Sequence, residues 1–151
     1  MNEEKWLREA LKEAKKAELI DEVPIGAVIV CKDIVIARAH NLKERSKKAT
    51  AHAEILAIEK ANELRGDWRL SDCELYVTVE PCLMCVGAII QARLKKVVYG
   101  CADPKFGAIE SVVKAFTFPG WNHYPEIVGD VLKEECSQII QRYFTKKRDN
   151  R

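Results

Sequence analysis

The residues able to do chemistry fall in two short stretches: His52-Ala53-Glu54 and, after 26 intervening residues, Pro81-Cys82-Leu83-Met84-Cys85. One imidazole and two thiolates are donors that a tetrahedral zinc prefers. Three protein ligands leave its fourth position to water, which separates catalytic zinc sites from closed structural ones. Glu54 would then carry protons rather than bind metal. Taken singly, each feature has a plainer reading: a Cys-x-x-Cys also builds structural sites, and a lone histidine in an apolar segment is commonly core. The set as a whole, an acid beside three ligands and no fourth, points to catalytic zinc, one ion per subunit.

Such a site needs elements that aim its side chains at one point. Pro81 suits the first position of a helix, where a missing backbone donor costs nothing, so Cys82 and Cys85 are expected in the first turn. Residues three apart share a helix face, and the positive helix end favours thiolates. His52 and Glu54 are different, because positions two apart lie roughly 200° apart around a helix axis. They can act together only over a helix end. Thr50 is the expected N-cap of a helix continuing through Ile55, Ile58 and Ala61, so two helix N-termini are expected to meet at the metal.

The pattern His52-x-Glu54 with Pro81-Cys82-x-x-Cys85 resembles the zinc-dependent nucleobase deaminases of the cytidine/deoxycytidylate deaminase superfamily. The likeness extends along nearly the whole chain. Val23-Pro24-Ile25-Gly26-Ala27, Asn41, Thr50 to Glu54, Leu75 to Cys82 and Asn122-His123 all look like the tRNA-editing branch. That resemblance implies a cytidine-deaminase-like fold, a homodimer with the helix from Cys82 in its interface, and hydrolytic deamination of the wobble adenosine of tRNA to inosine. In that chemistry Glu54 takes a proton from water and returns protons to a ring nitrogen and the departing amine.

A chain of 151 residues fits one domain, residues 1–151, and is long enough to bury a core. Hydrophobic residues at 48% and charged residues at 32% exclude the disordered class. No apolar run approaches the ~20 residues a membrane span needs. Met1-Asn2-Glu3-Glu4 is charged and helix-like rather than a signal peptide. A reducing cytoplasm is therefore expected, with Cys31, Cys73, Cys101 and Cys136 as solitary buried thiols.

In chain order, residues 4–18 read as an amphipathic helix burying Trp6, Leu7, Ala10, Leu11 and Ala14. Strands over 25–31 and 34–39 form a hairpin through Lys32-Asp33, whose turn type the missing glycine leaves open. A polar, lysine-rich loop from Asn41 to Lys48 precedes a helix over 51–64, stopped near Gly66. A strand over 74–79, the cysteine helix to Gln91 and a strand over 94–101 make a parallel crossover. A short strand over 126–128 and a closing helix over 132–145 complete a three-layer α/β/α sandwich with a mixed sheet of about five strands.

The net charge of +2 does not reveal a partner; the positions of the basic residues do. By the resemblance, Asn41, Ala53, Asp103, His123 and Phe144 contact substrate, with the tRNA anticodon stem-loop as partner. Asn41 would hydrogen-bond the target base, or else is a turn asparagine. Asp103 would accept a hydrogen bond from a 2′-hydroxyl, or else starts the Asp103-Pro104 turn. Tyr143-Phe144 before Lys146-Lys147-Arg148 suits an RNA rim, or else ends an amphipathic helix with a solvated tail. One departure stands out: Tyr124-Pro125 follows His123, where many tRNA-type members carry arginine. Deamination of free guanine or cytosine is the alternative, and a non-catalytic RNA-binding subunit ranks below both.

Overall fold

The computed structural model describes residues 2–150. The elements are α1 (Asn2–Leu19), β1 (Gly26–Cys31), β2 (Ile34–His40), α2 (Lys43–Ser46), α3 (Ala53–Arg65), β3 (Cys73–Val79), α4 (Leu83–Ala92), β4 (Lys96–Cys101), β5 (Glu126–Val128) and α5 (Lys133–Asp149). The five strands form one mixed sheet in the order β2-β1-β3-β4-β5. β1 runs antiparallel to both neighbours, whereas β3, β4 and β5 are mutually parallel. The run Gly26–Cys31 is buried throughout because β1 is paired on both edges and covered on both faces.

Alternation along the strands sorts residues between two layers. Val28, Val30, Tyr76 and Val98 face Trp6, Leu7 and Ala10 of α1. Ala27, Ile29, Leu75, Val77, Val97 and Tyr99 face Ala57, Ile58 and Ala61 of α3 and Val86, Ile89 and Ile90 of α4. α5 joins α1 through Leu11, Ala14, Cys136 and Ile139. The expected α/β/α sandwich is thus present.

Four local expectations are corrected. Thr50 is not the cap of α3; His52 is, with extended backbone (φ −81, ψ 151). Pro81 precedes α4 by two residues rather than opening it, and Cys82 is the N-cap. The loop after Asn41 contains the short α2, which pattern alone missed because four residues carry no periodicity. Cys31 and Cys73 are not solitary thiols: they form a disulfide across β1 and β3, where they are direct register partners. The Lys32-Asp33 turn has positive φ at both residues, 51 and 63, which is the type I′ geometry that suits a hairpin. No helix among the described residues is long and apolar enough to cross a membrane.

Candidate active site

β3 and β4 deliver their C-terminal ends to one pole of the sheet, where β2 also ends and β1 begins. Crevices beyond the carboxyl ends of parallel strands are where α/β sheets hold ligands. His52 and Cys82, the N-cap residues of α3 and α4, meet there. Cys82 Sγ lies 3.6 Å and Cys85 Sγ 3.7 Å from His52 Nδ1. All three donor atoms lie within 4.8 Å of one another, a group able to hold a metal ion.

The cap positions explain how residues two apart cooperate. His52 precedes the helix, so its ring reaches over the end while Glu54 enters the first turn. The side chain of His52 makes no cap bond because it faces the sulfurs. Asn41 does that work instead: its Oδ1 accepts the Ala53 N–H at 2.8 Å. A donor left over at a helix start is thereby satisfied from twelve residues upstream.

The four titratable groups shift one another. A hydrogen bond from Cys85, helped by His52, pushes the Cys82 thiol down to about 4. The bond to Cys82 raises the pKa of His52, and that thiolate together with burial drives the Cys85 thiol upward. Glu54 is 4% exposed, and its burial raises its carboxyl to about 7.

The other candidates divide by location. Asn41 is buried with its oxygen committed to Ala53, leaving its amide N–H groups as the face able to meet a base. Ala53 is fully buried and meets Asn41 through its backbone. Asp103 follows β4 at the same pole, where its Oδ1 accepts from Lys105 and Phe106 N–H, both at 3.1 Å. Phe144 is exposed on α5, edge-on to Tyr143. That helix end is moored to Asp21 in the loop before β1 by Tyr143 and Lys147. His123 is not brought to the others. Its Nε2 meets the Leu94 carbonyl beyond the far end of α4, a helix about 15 Å long.

Three buried acids were not expected from the sequence: Glu13, which meets Lys16 and His40, and Glu22 and Glu80. Glu22 accepts the Glu44 and Arg45 N–H groups at 3.1 and 2.6 Å, fixing α2 and its exposed Lys43 and Arg45 beside the site. Glu80 is 2% exposed and surrounded by donors from the loop after β4. Burial alone would raise its pKa, but bonds from Glu110, Ser111 and Asp103 hold it below the usual range. The available signal was a charge closing an apolar strand, one position before Pro81-Cys82.

Residues 1–148 match the family described as MafB19-like deaminase. The tRNA-specific adenosine deaminase of Bacillus subtilis is 47% identical over 146 residues, spanning 97% of this chain and 91% of that protein. The protein of the same name from Agrobacterium fabrum is 45% identical over 139 residues, 92% and 91% of the two chains. A structure from studies of A-to-I editing by tRNA:A34 deaminases at the wobble position superposes with a TM-score of 0.86 at 45% identity, covering 89% of this chain and 97% of that one. A guanine deaminase from Nitrosomonas europaea, at 22% identity and a TM-score of 0.79 over 93% of this chain and 83% of its own, shares the fold. With the family model covering residues 1–148 and relatives 45–47% identical over more than nine-tenths of both chains, this chain belongs to the MafB19-like deaminase family.

Proposed function

We propose that this protein hydrolyses the exocyclic amine of adenosine at the wobble position of tRNA, leaving inosine, with one zinc ion held by His52, Cys82 and Cys85. The observation that carries the reading is the ligand spacing. Zn–S bonds of about 2.3 Å and Zn–N bonds of about 2.0–2.1 Å at tetrahedral angles separate nitrogen from sulfur by about 3.6 Å. The separations here are 3.6 and 3.7 Å. Zinc in such a site supplies Lewis acidity, lowering the pKa of water toward neutrality.

The chain's own residues do the rest. Glu54 takes one proton from the attacking water and passes it to the ring nitrogen, then takes the remaining proton of that oxygen and passes it to the amine, which leaves as ammonia as the C–N bond breaks and the C=O bond forms. Because Glu54 is buried beside the ligands, its protons pass to the base rather than to bulk solvent. The amide N–H of Asn41 orients the base. Lys43, Arg45, Lys47 and Lys48, all exposed at the same pole, meet phosphates. Phe144 offers a stacking face at the rim.

Identity of 45–47% across nearly the full length of tRNA-specific enzymes supports tRNA over a free base. The cytoplasm, where tRNA is processed, is the matching compartment. A homodimer is supported by the outer face of α4. Leu83, Gly87 and Ile90 line a cleft of about 350 Å³ with Trp121, and Leu83 is 61% exposed. A second copy would cover this apolar surface.

The test is to incubate purified protein with an arginine anticodon stem-loop, free adenosine, guanine and cytosine. Inosine forming in the stem-loop alone is expected. Product from a free base, or none from the stem-loop, overturns the reading.

A further inference from the structure

Glu80 takes no part in the chemistry above, yet it carries the densest set of hydrogen bonds near the site. Its Oε1 accepts the N–H of Asp103 at 3.1 Å and the hydroxyl of Ser111. Its Oε2 accepts the N–H groups of Ile109, Glu110 and Ser111 at 3.0, 2.8 and 3.0 Å. Loop 102–111 therefore wraps a buried anion. Gly107 is what permits the close approach, since a Cβ there would lie 2.4 Å from the carboxyl.

The same short segment also holds a ligand. The Glu80 N–H bonds the Cys101 carbonyl, the Pro81 carbonyl accepts from Ala108, and Cys82 follows. The outer side of the loop presents Pro104, Lys105 and Phe106 to solvent, with Phe106 69% exposed. An exposed cation and an exposed aromatic on a loop tied to the segment before Cys82 are what a splayed nucleotide strand would meet.

We propose that Glu80 is a positioning residue for substrate. It fixes the loop that presents Lys105 and Phe106 to the nucleotides flanking the target base, in register with Cys82. This rests on the RNA reading above, and the neutral requirement that the loop merely fold does not predict its signature.

The experiment is steady-state deamination of an anticodon stem-loop by full-length, zinc-loaded Glu80→Gln, Ser111→Ala, Phe106→Ala and the Glu80→Gln/Phe106→Ala double variant. Glu80→Gln is expected to raise KM on the order of tenfold, the weight of one charge-assisted hydrogen bond. Zinc content and kcat should stay within about twofold of the parent. Ser111→Ala should move KM in the same direction by less, and it stands in should Glu80→Gln fail to fold. Phe106→Ala should raise KM alone but add little on Glu80→Gln, since the two act through one contact. An unchanged KM in the folded variants, or additive effects, overturns the proposal while leaving the tRNA reading intact. An inactive parent protein sinks both.

Discussion

Two cysteine pairs occupy opposite poles of the sheet and do unlike things. Cys82 and Cys85 are three residues apart at the head of α4, with His52 Nδ1 within 3.7 Å of each sulfur. Cys31 and Cys73 are 42 residues apart and joined across β1 and β3. Their Cα separation of 4.4 Å suits a directly opposed pair that shares no ladder hydrogen bond. The backbone agrees, because Cys73 bonds Leu70 and Lys95 instead. What sits beside the sulfurs also differs. At the open pole an imidazole and a helix start favour a ligand thiolate. At the closed pole Arg65 Nη1 lies 3.2 Å from both sulfurs, and Asp72 pairs with that arginine. Spacing along the chain singles out Cys82 and Cys85, but the third partner and strand register set what each pair of sulfurs does.

The contrast can be broken most forcefully at the ligands. Cys82→Ser should lose stoichiometric zinc and with it all measurable deamination, whereas a Cys31→Ser/Cys73→Ser variant should retain both; elemental analysis of the two proteins decides. Glu54→Gln separates holding from reacting. Zinc should remain while kcat falls by about 10²–10⁴ or more, the worth of general acid–base help, and equal zinc loss in Glu54→Gln and Cys82→Ser would contradict the division of roles.

At the other pole the expected effect is on stability. Removing the Cys31–Cys73 link should cost about 2–4 kcal/mol, seen as a lower Tm, with kcat unchanged. Disulfides are uncommon in a reducing cytoplasm, so a thiol titration of protein purified under denaturing, acid-quenched conditions is the direct check on this pole. The smallest expected effect compares two exposed aromatics. Phe144→Ala, at the open pole, should weaken stem-loop binding by about 1 kcal/mol. Trp68→Ala, held between Arg69 and Arg93 at the closed pole, should leave it unchanged. Equal losses would mean that RNA spans both poles.

Local pattern made much of the protein legible in advance. The apolar, β-branched runs of β1 and β3 and the amphipathic face of α1, with its period of 3.6, are local features of the chain. The His52, Glu54, Cys82 and Cys85 cluster was readable because each half of it is local and chemically distinctive. The two helix starts were each misplaced by two residues, since Thr50 and Pro81 are good choices on propensity alone. His52 and Cys82 take those positions because their side chains have work outside the helices. Asp103 carries the turn hydrogen bonds that its position before Pro104 suggested.

By itself, then, the sequence determined the succession of strands and longer helices and the two halves of the donor set, because each depends on neighbours within a turn or two. Tertiary structure alone decided that Asn41 would satisfy the start of α3, that Glu80 would gather a loop more than twenty residues away, that His123 would lie at the opposite pole, and that Cys31 would face Cys73. Each depends on strand register or on a buried polar group finding its partner. Such pairings join residues far apart in the chain, so no local preference specifies them until the sheet has formed.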